Sequence, residues 1–161
     1  MLKATSFVRA GKLPKGKVPF DLAVLAHDER HLRRKLLTLV HGDEVMVDLP
    51  GAVRLESGDC LVLDDGRLVE IQAAEERLYE VRGRDPVHLM QLCWHIGNRH
   101  LPAQILSEWE GLGLRIVIQR DHVIKAMLEG LGATVTEISE PFSPEPGAYA
   151  HGDHTHALIN R

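Results

Sequence analysis

The sequence predicts an α+β protein, with a small β-rich region first and a mixed region of strands and helices after it. Short β-branched runs separated by turn residues fill the first part of the chain, and two stretches with helical periodicity follow. The end of the chain is rich in proline and histidine. These observations predict two domains, 1–74 and 75–148, and a flexible histidine-containing tail, 149–161.

The first region is expected to be a small all-β module. Arg30–Val40 fits a helix or a strand equally well, and Pro50-Gly51 is expected to separate two strands. Asp64-Asp65-Gly66 lies between two β-branched runs and predicts a hairpin turn. The predicted strands are Asp21–Ala26, Glu44–Leu49, Ala52–Leu55, Asp59–Leu63 and Arg67–Ile71.

The second region alternates strands with two helices. Asp85-Pro86 predicts an N-cap followed by proline in the first turn, and Gly97-Asn98 predicts the end of that helix. Asp121 is expected to begin a second helix, which Gly132 ends. The apolar face of that helix is predicted to contain Val123, Ile124, Met127, Leu128 and Leu131.

Four strands surround these helices in the predicted order strand, helix, strand, strand, helix, strand. That order is typical of the ferredoxin-like fold, in which two helices pack on one face of an antiparallel sheet. Beyond Pro141 the chain is expected to be extended and mobile. The predicted strands are Glu76–Arg82, Gln104–Glu108, Leu114–Gln119 and Thr134–Ile138.

Composition disfavours several classes of function. The 161 residues carry a formal net charge of −4, which gives no electrostatic reason to expect binding to nucleic acid or to a membrane. Cys60 and Cys93, the only two cysteines, lie far apart and form no C-x-x-C motif, so a reducing cytoplasm is expected. The first residues lack the apolar stretch of a signal peptide.

Catalytic motifs are not evident, so we do not expect an enzyme. The sequence contains no G-x-S-x-G, P-loop or H-E-x-x-H motif. Cys93 and His95 are two residues apart on a predicted helix, where their side chains would not face each other. Cys93 is better explained as a small core residue.

Histidines are the strongest signal of chemistry. Ten occur in the chain, and three of them, His151, His154 and His156, lie within the last eleven residues. Imidazole is the commonest metal ligand in proteins and suits nickel, zinc and copper, so these three could bind one ion. A solvated tail without function, or a fragment of a purification tag, is the alternative explanation.

The other histidines differ in their expected roles. His88 and His95 lie on one stripe of the first helix and are expected to be structural, whereas His100 follows a turn that could present it to a ligand. His122 could either follow a simple helix cap or be oriented by Asp121 as a ligand. Three histidines of the first region are interpreted as surface residues: His27, His31 and His41.

Residues 76–156 resemble the UreE family of urease accessory proteins. The resemblance rests on His95-Ile96-Gly97-Asn98-Arg99-His100, on Asp121-His122-Val123, and on Glu140-Pro141-Phe142-Ser143-Pro144-Glu145 followed by Gly147-Ala148-Tyr149. It implies a homodimeric nickel metallochaperone that delivers Ni(II) to apo-urease together with accessory proteins such as the GTPase UreG. The β-rich region would be a domain that binds a partner or a peptide.

The resemblance also implies the site residues. His100 would pair with its symmetry mate at the dimer interface, two dimers could share an ion, and His151, His154 and His156 would complete or feed the site. Some family members have a further histidine two residues before the position of His122. Arg120 stands there instead, and its positive charge would weaken an ion bound at His122.

Three functions remain for comparison with the structure. In the carrier, metal and protons compete for imidazole, so affinity should fall below about pH 6. Ligand strength alone would not select nickel, because copper binds the same nitrogens more tightly and zinc is a close competitor. The second is a scaffold of the maturation complex whose dimerisation zinc or nickel only modulates. The third, a metal-dependent hydrolase, would need a carboxylate beside an open coordination position.

Overall fold

The computed structural model describes residues 1–107 and 113–149. The chain forms two compact units, Met1–Ala74 and Glu75–Arg161, each with a sheet of its own. The first unit contains a short 3₁₀ turn, Ala10–Lys12, and six strands. These strands are β1 (Leu2–Val8), β2 (Asp21–Leu25), β3 (His31–Thr38), β4 (Glu44–Arg54), β5 (Cys60–Leu63) and β6 (Leu68–Ala73).

The sheet of the first unit has the strand order β2-β6-β5-β1-β4-β3. The β1–β4 and β2–β6 pairs are parallel, and the other neighbouring pairs are antiparallel. Alternate residues of the strands point inward, as the period of two requires, and form one aliphatic core. Its fully buried members include Ala4, Ala23, Val45, Val47, Leu55, Leu61, Val69 and Ile71.

Four findings in this unit refine, confirm or correct the expectations from sequence. Arg30–Val40, for which helix and strand were equally open, contains the strand β3, and the hairpin around Gly66 is confirmed, with φ of +87° at that glycine. Strand β1, which no sequence pattern had predicted, lies between β4 and β5 in the sheet. The predicted break at Pro50-Gly51 is wrong, because β4 continues through both residues.

The second unit has four strands and two helices. They follow the chain as β7 (Glu75–Arg82), α1 (Pro86–Asn98), β8 (Ala103–Leu106), β9 (Arg115–Gln119), α2 (His122–Gly130) and β10 (Thr134–Pro141). The sheet is antiparallel with the order β10-β7-β9-β8. None of the helices in the described part of the chain is long and apolar enough to cross a membrane.

Both helices pack on one face of this sheet. Alternate residues of β7 and β9 point toward the helices and meet the apolar side of each helix. This core consists of Tyr79, Val81, Leu89, Leu92, Ile96, Ile116, Ile118, Ile124 and Leu128. The predicted apolar face of α2 was wrong at one position, since Val123 is 57% exposed.

The opposite face of the sheet is covered by the segment after β10. Phe142 is fully buried there, against Leu78 of β7 and Val117 of β9. An extended, mobile chain directly after Pro141 is therefore the wrong description of this segment. The prolines around Phe142 gave no indication that this side chain is buried. Its burial depends on contacts with strands that lie 25 and more residues earlier, and local spacing does not reveal such contacts.

Candidate metal-binding site

The C-terminal end of α1 presents His100. Helix α1 begins at the predicted cap, where the Asp85 carboxylate accepts a hydrogen bond from the His88 amide at 2.8 Å. Buried Leu92 and Ile96 hold the helix on the sheet. At the other end the His100 amide donates to the Gly97 carbonyl at 3.0 Å, a bond that closes the last turn.

His100 has an unusual backbone conformation. Its φ is +55°, and among the described residues it is the only non-glycine with a positive φ. Glycine is the usual residue at this position after a helix, and a side chain there costs roughly 1–2 kcal/mol. The imidazole is exposed. Residues held in a costly conformation cluster at functional sites, so this finding directs attention to the His100 side chain.

An apolar stripe runs along the exposed side of α1 toward the same end. Val87, Met90 and Trp94 follow one another at spacings of three and four and are each more than 60% exposed. The Trp94 ring also contacts the partly buried His95 ring edge-on, with the ring centroids 5.3 Å apart. Large apolar side chains in a row on an exposed helix face are typical of an interface with another molecule.

His88 is structural, as its helical position predicted. It is 4% exposed and makes two hydrogen bonds. Nδ1 accepts from the Arg84 amide at 3.0 Å, so Nε2 carries the proton and donates to the Leu131 carbonyl at 2.8 Å. Both ring nitrogens are therefore used to join the start of α1 to the end of α2, and neither is available to a metal.

His122 is exposed at the first position of α2. The Asp121 carboxylate accepts from the amides of Val123 and Ile124 at 2.8 and 3.1 Å, so it acts as a helix cap. The positive end of the helix dipole opposes a cation at His122. The helix dipole at this end of α2 therefore disfavours the binding of a metal cation.

Arg120 is fixed on the strands of the second unit. Its guanidinium donates to the Leu78 and Ile138 carbonyls at 3.1 and 3.0 Å and lies 3.4 Å from the Glu137 carboxylate. Its charge is thus partly neutralised by an acidic neighbour. The sequence could predict the cation but not these contacts, which depend on the packing of β7 against β10.

His41 belongs to a pair that sequence spacing did not reveal. Its Nδ1 lies 2.8 Å from the buried Asp21 carboxylate, while its side chain is 76% exposed. Burial would raise the pKa of Asp21, but hydrogen bonds from the Leu22 amide and from His41 keep that pKa below its usual value. This histidine is on the surface as expected, yet one nitrogen is held by an anion.

The described thiols are poor candidates for metal ligands. Burial, with smaller contributions from Glu70 and Asp59, raises the pKa of Cys60 to about 11, and burial also raises the pKa of Cys93. Both groups therefore stay protonated near neutral pH, whereas metals bind the thiolate.

No group of three or more His, Cys, Asp or Glu side chains that could hold one ion occurs within residues 1–107 and 113–149. A metal ion at His100 would therefore need further ligands from outside these residues. His151, His154 and His156 lie outside the described residues.

Comparison with known proteins places both parts of the chain in one class, the urease accessory proteins. Residues 12–74 match the family model described as "UreE urease accessory protein, N-terminal domain", and residues 76–160 match the one described as "UreE urease accessory protein, C-terminal domain". Both models describe domains of urease accessory proteins. The chain therefore belongs to the UreE family.

Individual relatives agree with the domain matches. The chain is 58% identical over 156 residues to the urease accessory protein UreE of Brucella anthropi, covering 97% of this chain and 87% of the relative. It is 60% identical over 151 residues to UreE of Mesorhizobium japonicum, covering 93% and 73%. With UreE of Agrobacterium fabrum it shares 54% identity over 157 residues, covering 97% and 92%.

Proposed function

We propose that this protein is a nickel metallochaperone of the cytoplasm that delivers Ni(II) for assembly of the urease active site. It would act as a homodimer, possess a ferredoxin-like metal-binding domain, and work with the GTPase UreG and the apo-urease accessory complex. The observation that carries the proposal is the exposed imidazole of His100 at a backbone position that disfavours any side chain. Membership of a urease accessory family supports the same role.

The exposed stripe of α1 supports the homodimer. Val87, Met90 and Trp94 form an apolar row that water solvates poorly, and His100 follows the end of the same helix. A two-fold axis beside this stripe would bury the row against its own copy and bring two His100 side chains together. Two imidazoles from two subunits make an open site that further ligands can complete.

The ligand set fits a borderline metal. Imidazole nitrogens bind nickel, zinc and copper, and the exposed His100 presents one such group. We assign His100 as the central ligand and His151, His154 and His156 as additional ligands. His122 ranks last, because the dipole at the start of α2 opposes a cation.

Calorimetry tests the site. Nickel is titrated into the tag-free full chain at pH 7.5, comparing wild type with His100→Ala and with His31→Ala, an exposed histidine of β3, as the matched control. We expect about one ion per dimer in wild type and in the control, and loss of that event in His100→Ala. Unchanged binding in His100→Ala would contradict the proposal.

A second experiment tests the dimer. Trp94→Lys places a charge in the apolar stripe, whereas Val123→Lys places the same charge at an exposed apolar position of α2. Sedimentation of the full chain should show a monomer for Trp94→Lys and a dimer for Val123→Lys and wild type. A dimeric Trp94→Lys variant would place the interface elsewhere and remove this support.

A scaffold of the urease maturation complex, with zinc or nickel only modulating dimerisation, is the second candidate. It is favoured by the finding that residues 1–107 and 113–149 contain no complete set of metal ligands. Urease activation at limiting nickel separates the two functions. A carrier loses activation with His100→Ala, whereas a scaffold keeps it as long as the dimer and its partners assemble.

A further inference from the structure

The described residues of the two sheets end in four edge strands, and two of these strands carry several charged side chains. The sheet of the first unit ends in β2 and β3, and that of the second unit ends in β8 and β10. Strand β3 contains the basic run Arg33-Arg34-Lys35, and β10 contains Glu137, Glu140 and a final proline. Charges and proline at an edge disfavour pairing with a further strand, because the partner would have to desolvate the charge or forgo a hydrogen bond.

The other two edges are mostly apolar, and each is covered by residues from another part of the chain. Strand β2 carries one charge, on the buried Asp21, and β8 carries none. On β2 the Leu22 carbonyl accepts from the Val40 amide at 2.9 Å, and the Asp21 carboxylate binds His41. The cover of β8 comes from the segment after β10 and is centred on Glu145.

Glu145 binds both kinds of backbone group on the outer edge of β8. Its amide donates to the Ala103 carbonyl at 2.7 Å, and its carboxylate accepts from the Ile105 amide at 3.0 Å. Each residue of an antiparallel strand directs its amide and carbonyl to one side, and the side alternates along the chain, so Ala103 and Ile105 face the same edge. Glu145 therefore occupies groups that a neighbouring strand would otherwise bind.

Two contacts earlier in the segment bring it to this edge. Phe142 is fully buried on the middle strands of the sheet. The Ser143 amide donates to the side-chain oxygen of Gln104 in β8 at 3.1 Å. The segment thus crosses the face of the sheet that the helices leave open, and its position does not depend on Glu145 alone. A change at Glu145 should therefore uncover the edge while the rest of the segment stays in place.

The uncovered edge would be complementary to a second copy of itself. If two copies of β8 paired antiparallel about a two-fold axis at Gln104, Ala103 of one copy would face Ile105 of the other. The Ile105 amide would then donate to the Ala103 carbonyl of the second copy, and the reverse bond would follow by symmetry. Glu145 offers a donor and an acceptor to these same two groups, so it takes the place of a second strand. The Ile105 side chain, which is 54% exposed, would lose contact with water on pairing.

We infer that the outer edge of β8 is a pairing surface for a second copy of this chain, and that Glu145 keeps this surface closed. The inference is independent of metal binding and of the interface proposed for α1. It predicts an additional self-association through β8 once Glu145 no longer covers the edge. Strand β8 has no charged side chain that would oppose this association.

Three substitutions at one position remove the cover in steps. Glu145→Ala removes the carboxylate, Glu145→Pro removes the carboxylate and the amide, and Glu145→Gln, the matched control, removes only the charge. Self-association of the full chain is measured by sedimentation over a wide range of protein concentration, at pH 7.5 with a metal chelator. Each variant is made in wild type and in Trp94→Lys, so that association through β8 is also observed without the interface proposed for α1.

The self-association constant should rise about tenfold in Glu145→Ala and about a hundredfold in Glu145→Pro, because one or two edge groups lose their partner. Glu145→Gln should behave as wild type, since its side-chain oxygen still accepts from Ile105. Protection of the Ile105 amide from exchange, followed by NMR, should increase with protein concentration in the proline variant. Adding Ile105→Lys should abolish the association, because two like charges would lie close together on one face of the paired strands.

Three outcomes would overturn the inference. A folded Glu145→Pro protein with the wild-type mass at every concentration would show that the uncovered edge does not bind a second copy. Association that persists with Ile105→Lys would place the contact elsewhere. Association of Glu145→Gln to the same extent as Glu145→Pro would show that the charge, rather than the cover, controls the edge.

Circular dichroism identifies variants that do not fold, and Glu145→Ala decides the question if Glu145→Pro is among them. In that case a folded Glu145→Ala protein that associates no more than wild type would overturn the inference. Nickel takes no part in these measurements. Failure of the proposed function is therefore detected separately, as nickel binding that survives His100→Ala.

Discussion

The two helices of the second unit end with the same backbone geometry but with different residues. After α1 the left-handed position is occupied by His100, with φ of +55°, and after α2 it is occupied by Gly132, with φ of +87°. Each amide donates to the carbonyl three residues earlier, Gly97 and Glu129, at 3.0 Å. Geometry alone therefore requires no histidine at the end of α1.

This difference separates a structural requirement from a functional one. Glycine ends a helix in this conformation without steric cost, whereas a side chain there costs roughly 1–2 kcal/mol. Glycine, which avoids this steric cost, occupies the position at the end of α2, where the following residues continue into β10. At the end of α1 it keeps an exposed imidazole despite the cost. The proposed role of His100 as a metal ligand would account for this histidine.

The largest expected effect comes from placing glycine at the end of α1, as at the end of α2. His100→Gly removes the imidazole but keeps the backbone conformation, so nickel affinity should fall about a hundredfold or more, beyond the loss typical for a residue that only supports a ligand. The free energy of unfolding should rise by about 1 kcal/mol, because the strain is relieved. Calorimetry and urea denaturation measure the two quantities. A variant that is stabilised yet binds nickel normally would mean that His100 is not a ligand.

The buried histidine of α1 should show the opposite behaviour. His88→Ala removes two hydrogen bonds and leaves the Leu131 carbonyl and the Arg84 amide without this partner. Unfolding should become easier by about 2–3 kcal/mol, since buried polar groups and a cavity are left behind. Per folded dimer, nickel stoichiometry should stay the same. Loss of nickel binding in a folded His88→Ala protein would contradict the structural role assigned to this side chain.

A side chain at the end of α2 should reproduce the strain found at the end of α1. Gly132→Ala keeps φ positive and places a Cβ 3.1 Å from the Arg84 guanidinium, which can move aside. The expected cost is about 1–2 kcal/mol in urea denaturation, with nickel affinity unchanged. Equal stability of wild type and Gly132→Ala would remove the strain argument for His100.

The smallest expected effect concerns the starts of the two helices, which are capped in the same way. Asp85 and Asp121 each cap a helix through their carboxylates, at 2.8 Å from the first amide they bind. Replacement of either by alanine should lower the free energy of unfolding by about 1 kcal/mol. Neither change should alter nickel binding. A loss of nickel in Asp121→Ala alone would instead point to a metal role for the neighbouring His122.

Helix α1 was the most predictable element of the fold. An aspartate before a proline, apolar residues at helical spacing and a glycine near the end are local signals, and the structure confirms the helix as Pro86–Asn98. The hairpin at Asp64-Asp65-Gly66 was equally clear. His100 could be selected as a candidate from its place after the turn, but its positive φ is visible only in three dimensions.

Strand β4 shows where local signals mislead. Pro50-Gly51 predicts a break, yet the strand continues, because both residues lie where its register with β3 shifts. Leu32 pairs with Val53 and Arg34 with Asp48, so four residues of β4 face a single residue of β3. In such a bulge the missing amide of proline removes no ladder hydrogen bond. The pairing partner, not the proline, decides the outcome.

By itself the sequence determined the α+β composition, the starts of both helices and the hairpin turn. Each of these follows from interactions between residues close together in the chain. Tertiary structure decided that Phe142 and His88 are buried whereas His100 is exposed. It also decided that Glu145 binds the edge of β8, where its carboxylate accepts a hydrogen bond from the Ile105 amide. Those outcomes depend on contacts between strands and helices far apart in sequence, and such contacts form only when the sheet is assembled.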